Sequence, residues 1–164
     1  LSSRPMLPAS EATREEVRSI RRDIFANSVL LRGGAPKRAH DQALKISQRA
    51  QATQWPPVEN EAMVALGHAQ QADGAAEEAE RSFSRSYYES ARIADDRLAA
   101  EAATALTALV GDELGRPRDG AFWRELAVEA LDRSGRNSGL ARAALLMASA
   151  SLDYRNGDYE QGVE

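Results

Sequence analysis

The chain contains no cysteine. This removes disulfide frameworks, thiolate nucleophiles and cysteine-bound metals together, and it suits a reducing cytoplasm, the compartment expected here. Aromatic residues are also scarce, at 5% of 164 residues, while 43% are apolar, so alanine carries much of the apolar content. With 28% charged residues of both signs, that balance favours closely packed helices. No basic stripe is present, and the net charge is −4, which speaks against nucleic acid or an anionic membrane as partner. No apolar run approaches the roughly 18 residues of a membrane span. Histidine occurs twice, at His40 and His68, without a second ligand at metal-binding spacing, so neither metal nor cofactor is expected. No stretch alternates with period two for long enough to be a strand.

What the chain does contain is a period. Gly34, Gly74, Gly115 and Gly157 stand 40, 41 and 42 residues apart, and each is followed five residues later by a small residue: Ala39, Ala79, Gly120 and Gly162. A fixed period in this range signals stacked supersecondary units, which are more often binding surfaces than enzymes. Helical periodicity fills the intervals. Thr13 and Glu16 have capping-box spacing, and Val17, Ile20, Ile24, Ser28 and Leu31 follow on one face. Gly33-Gly34 ends this helix, and Pro36 opens a second through Ala39, Ala43, Ile46 and Ala50. Trp55-Pro56-Pro57 opens a third helix that closes at Asp73-Gly74, and a fourth runs to about Ala94. After the cap signal Asp95-Asp96, a fifth spans about 97–113, a sixth about 119–133 and a seventh about 140–154. The expected unit is therefore helix, tight glycine turn, helix, longer loop. Residues 1–10, rich in Pro and Ser, read as an extended or disordered linker ahead of an array over 11–164. Its repeats span about 13–54, 57–95, 97–134 and 139–164. The absence of an initiating methionine and the end at Val163-Glu164 read as cuts in a longer protein, the last repeat being truncated.

Around Gly74 the pattern becomes specific. Leu66-Gly67 precedes it by eight and seven residues, Ala79 follows by five and Phe83 by nine. This resembles the tetratricopeptide repeat, in which small residues let two helices of a hairpin approach and large ones fill the spaces between hairpins. A period of 40–42 rather than 34 implies longer helices or longer inter-hairpin loops, as in the long-repeat subclass of kinesin light chain and bacterial signalling arrays. VGDELGRPRDGAFWRELAVEAL, with GDYEQG beyond it and WPPVENEAMVALGHAQ before it, is similar to arrays attached C-terminally to myxobacterial-type serine/threonine protein kinases. The resemblance implies an all-α solenoid of about seven helices, paired as antiparallel hairpins in a right-handed superhelix. It implies a cytoplasmic scaffold that binds a protein or peptide in a concave groove, as the docking or regulatory region of a larger signalling protein. No kinase motif lies in the chain itself.

In such arrays the first helix of each hairpin lines the groove. Counting from each turn glycine gives Arg21, Ser28 and Arg32 in the first repeat, and Glu61, Val64, His68 and Gln71 in the second. The third repeat offers Ala102, Ala105, Leu109 and Asp112, and the fourth Met147, Ser151, Tyr154 and Arg155. The Lys and Asn of the two-carboxylate clamp of chaperone-binding members are replaced by Ile24 and Ser28, then Val64 and His68, so chaperone C-terminal tails are not expected to bind. Gly33-Gly34-Ala35-Pro36-Lys37 lacks phosphate-loop spacing and reads as a turn. The acidic pairs Glu15-Glu16, Glu77-Glu78 and Asp95-Asp96 sit near helix N-termini, where they complement the dipole. Trp55 and Trp123 read as seam-filling residues. No catalytic constellation emerges. The alternatives to a binding scaffold are a self-association or spacer module, with the truncated last hairpin exposing an apolar face, and a helical enzyme fragment.

Overall fold

A computed structural model describes residues 10–135 and 139–156, the last six of these through their backbone alone. All the described structure is helical, with no strand. The helices are α1 (Glu11–Arg32), α2 (Pro36–Ala52), α3 (Pro56–Ala72), α4 (Ala76–Arg92), α5 (Asp96–Ala108, continued by a π-helical turn over Leu109–Glu113), α6 (Pro117–Arg133) and α7 (Gly139–Asn156). Residues 1–9 of the expected linker, and Gly157 and Gly162 of the fourth repeat, lie outside the described residues. The first cap differs from expectation. Ser10, not Thr13, accepts the orphan amide at the start of α1, its Oγ lying 3.1 Å from the Thr13 nitrogen. Asp95 caps α5 as anticipated, accepting from the Leu98 nitrogen at 3.1 Å.

Each helix packs on its neighbours in sequence, and α1, α3, α5 and α7 also touch one another in succession. The hairpins close where side chains are smallest. Ala39 and Ala79 are fully buried, and a Cβ on Gly120 would meet the Gly111 Cα at 2.6 Å and the Thr107 carbonyl oxygen at 3.0 Å. A Cβ on Gly67 would meet the Phe83 ring at 2.7 Å, so the glycine is the space that the ring occupies. One repeat earlier the volume is exchanged: Asn27 stands at the glycine position and Ala43 at the aromatic one. Trp123, 7% exposed, fills the next seam with its ring edge against Tyr87, centroids 5.3 Å apart.

The first two connections between hairpins overturn the expected longer loop, whereas five residues separate α6 from α7 as the expected loop requires. Left-handed residues occur at Gly34, Gln54, Gly74, Ala94, Gly115 and Gly135, in every turn from α1 to α6 and again after α6. The inter-hairpin turns Thr53–Trp55 and Ile93–Asp95 are as short as those within hairpins. The Asp95 amide donates to the Ser90 carbonyl at 2.9 Å as the Ala75 amide does to Gln70 at 2.8 Å, so both turns close the same carbonyl. The building unit is therefore a helix and turn of about 20 residues, half the period that the glycines mark. The long period comes from 17-residue helices, not from longer loops. The step from 40 to 41 has a local cause. Gly115 follows the start of α5 by one residue more than Gly74 follows the start of α3, and the π turn absorbs the extra residue.

Two substitutions test this account in urea unfolding. Gly67→Ala overpacks against a fully buried ring and lowers stability by about 1–2 kcal/mol, despite alanine's better helix propensity. Ala94→Gly relieves a left-handed alanine and raises stability by about 1 kcal/mol. A neutral Gly67→Ala, or a destabilising Ala94→Gly, contradicts the packing or the turn.

Candidate functional site

The successive contacts of α1, α3 and α5 leave a groove of about 710 Å³ along one side. Its walls repeat at intervals of 40 residues: Arg21, Glu61 and Glu101 at one level, Ile24 and Val64 at the next, then Ser28 and His68. Arg97, Leu98, Leu31, Arg32, Ala65 and Asn27 complete it. A second, more apolar cavity of about 510 Å³ shares His68, Arg97 and Glu101 with the first and continues between α5, the end of α6 and α7, past Ala105, Leu131, Leu140 and Ala144.

The groove's charges are mostly paired. Arg21 donates twice to Glu61, Nε to Oε2 at 2.8 Å and Nη2 to Oε1 at 2.6 Å, joining one hairpin to the next. Glu61's hydrogen bond and charge raise the Arg21 pKa further, and the guanidinium also lies 5.3 Å from the Trp55 ring centre. Arg97 Nη1 reaches Glu101 Oε2 at 3.1 Å within α5. Arg32 donates to the Ser28 hydroxyl at 3.3 Å, and Ser28 in turn donates to the Phe25 carbonyl at 2.7 Å. His68 keeps solvent access through the open side of the groove, yet its ring is crowded by protein, edge-on to Phe83 with centroids 4.9 Å apart. That crowding lowers its pKa below the ordinary 6.5, the Glu101 carboxylate opposing it, so the imidazole is neutral at pH 7. The other histidine, His40, pairs through Nδ1 with Asp73 at 2.9 Å, away from the groove. Among the described residues no group of His, Asp or Glu is gathered to hold a metal ion. No described helix is long and apolar enough to cross a membrane.

Of the residues expected from the sequence, Arg21, Ser28, Arg32, Glu61, Val64 and His68 line this groove together. Gln71 does not; it donates to Glu113 on the π turn. Asp112 is half-buried on that turn and lines neither cavity, and Met147 is 74% exposed on α7, also outside both. The side chains of Ser151, Tyr154 and Arg155 lie outside the described residues. In the third repeat Ala105 lines the second cavity, but Ala102 and Leu109 are fully buried in the core rather than facing outward. Counting back from Gly115 crosses the extra residue of the π turn. The count then lands one position late, and one position turns a helix by about 100°. Counting forward from the start of α5 instead places Glu101 and Thr104 at the levels of Glu61 and Val64, and both line a cavity. Asn27, Leu31, Ala65, Arg97, Leu98 and Glu101 are the groove residues that sequence counting misses.

His68 supplies the pH test. Its folded pKa lies below the unfolded value, so the unfolded chain takes up the proton first. Its contribution is fully present above about pH 6.5 and is lost as pH falls through that value towards the folded pKa. Ring-proton NMR of His68 should give a midpoint below 6.5, and His68→Gln should flatten stability between pH 7 and 5; a midpoint above 6.5 contradicts this environment. No protein-family model, curated protein or solved structure matches the chain.

Proposed function

We propose that this chain is a tetratricopeptide-like α-solenoid whose groove along α1, α3 and α5 receives a segment of a partner protein. It acts without catalysis, as the docking or regulatory region of a cytoplasmic bacterial signalling protein such as a serine/threonine kinase. The observation that carries the reading is the 40-residue register across the groove. Side chains at equivalent levels of three hairpins converge on one channel, and Arg21 and Glu61 join across its mouth. The Gly67–Phe83 interlock and the contacts among first helices support the solenoid arrangement. The kinase association rests on the resemblance of the Gly115-Arg116-Pro117 segment and its surroundings. Cross-linking in native lysate tests the groove: Ser28→Arg should abolish capture of a partner that Arg81→Glu, exposed on α4, leaves intact. Equal capture by both variants overturns the assignment.

One observation favours self-association as a second reading. Leu140 and Met147 are 87% and 74% exposed. Leu146 is 67% exposed as well, so the described part of α7 leaves large apolar side chains open. Light scattering should show mass rising with concentration, and Leu140→Glu with Met147→Glu should hold the protein monomeric. A wild-type protein that stays monomeric across the range rules this reading out.

A further inference from the structure

Resting on the groove reading above, we infer that its occupant is an extended peptide bearing a carboxylate side chain beside apolar residues, with the carboxylate anchored on Arg32. Charge complementarity points this way. The chain carries a net −4, yet the groove holds Arg21, Arg32 and Arg97 against Glu61 and Glu101, with His68 neutral. Two of the three arginines are already matched, Arg21 to Glu61 and Arg97 to Glu101. Arg32 has only the Ser28 hydroxyl, at 3.3 Å and with no carboxylate among the described residues, which leaves a planar fork of donors facing the channel. Its place in the last turn of α1 suits the helix dipole, but the dipole uses none of those directed donors.

A second observation lies on the same wall. Asn27 is 1% exposed and lines the groove; its Nδ2 donates to the Ala39 carbonyl at 2.7 Å, while its Oδ1 has no partner. A buried acceptor left unpaired is costly, and a peptide N–H is the donor that an occupant of the channel brings. The surface between is apolar, formed by Ile24, Leu31, Val64 and Leu98. The channel continues through His68 into the second cavity, whose lining is alanine and leucine towards α7. A small organic acid spans only the first part, whereas a peptide with its acid at the α1 end and its apolar residues towards α7 fills both.

Selection of random 12-residue peptides on the 164-residue chain tests the inference, with affinities then measured by fluorescence polarisation. The expected consensus pairs Asp or Glu with neighbouring apolar residues. Arg32→Ala should weaken the selected peptides about tenfold or more, and Arg32→Glu should select Lys or Arg in place of the acid. Arg32 is exposed, so circular dichroism of both variants should match the parent. A consensus without an acidic residue, or one unchanged in Arg32→Glu, overturns the anchor while leaving the groove as a peptide site. Failure of any peptide to enrich overturns the groove reading and the anchor with it.

Discussion

Close approach of the paired helices is the constraint on which the molecule depends. An alanine-rich chain has little side-chain volume with which to exclude water, so its helices must come together until backbone meets backbone or nearly so. Gly111 against Gly120 is the extreme case, and Ala39 and Ala79 achieve it less closely. Once helices are that near, the largest buried side chains fill the seams between neighbouring elements. Phe83 and Trp123 are there. The groove is a by-product: first helices drawn into mutual contact present the same levels of side chains side by side, one repeat apart.

Most of the fold was legible because this packing leaves marks. Glycines at a left-handed turn and small residues five positions later can be read directly, as can prolines at the first turns of α2, α3 and α6. The first two turns between hairpins were not legible. Gln54 and Ala94 adopt the same left-handed backbone as the glycines, but neither residue type advertises it, so the sequence reads those turns as longer loops. Nor does Leu109–Glu113 carry any sign of a π turn. Most positions counted on α1 and α3 line the site, since no insertion lies between their residues and the turn glycine, Gln71 being the exception. The α5 wall did not follow from counting, and the error was a single residue with a full change of face.

The exchange of Asn27 and Ala43 for Gly67 and Phe83 shows how one backbone arrangement tolerates divergent repeats. Volume moves from one helix to its partner while the space between them stays filled. In the first repeat the exchange puts an amide where the second has a ring edge, and a polar group enters the wall of the channel. Packing drift and groove chemistry are therefore coupled in this chain: a substitution made for volume in a seam alters the chemistry of the neighbouring surface.

Neighbouring hairpins are joined in two different ways. Along the seam the contact is apolar. At the rim, side chains from successive hairpins are tied by Arg21 to Glu61, His40 to Asp73, Gln71 to Glu113 and Glu80 to Arg116. Mobile ions weaken exposed pairs over a Debye length of about 8 Å at physiological strength but leave apolar contact largely unaffected. Salt weakens the rim pairs more than the apolar seam, so the two kinds of joint answer differently to the ionic medium.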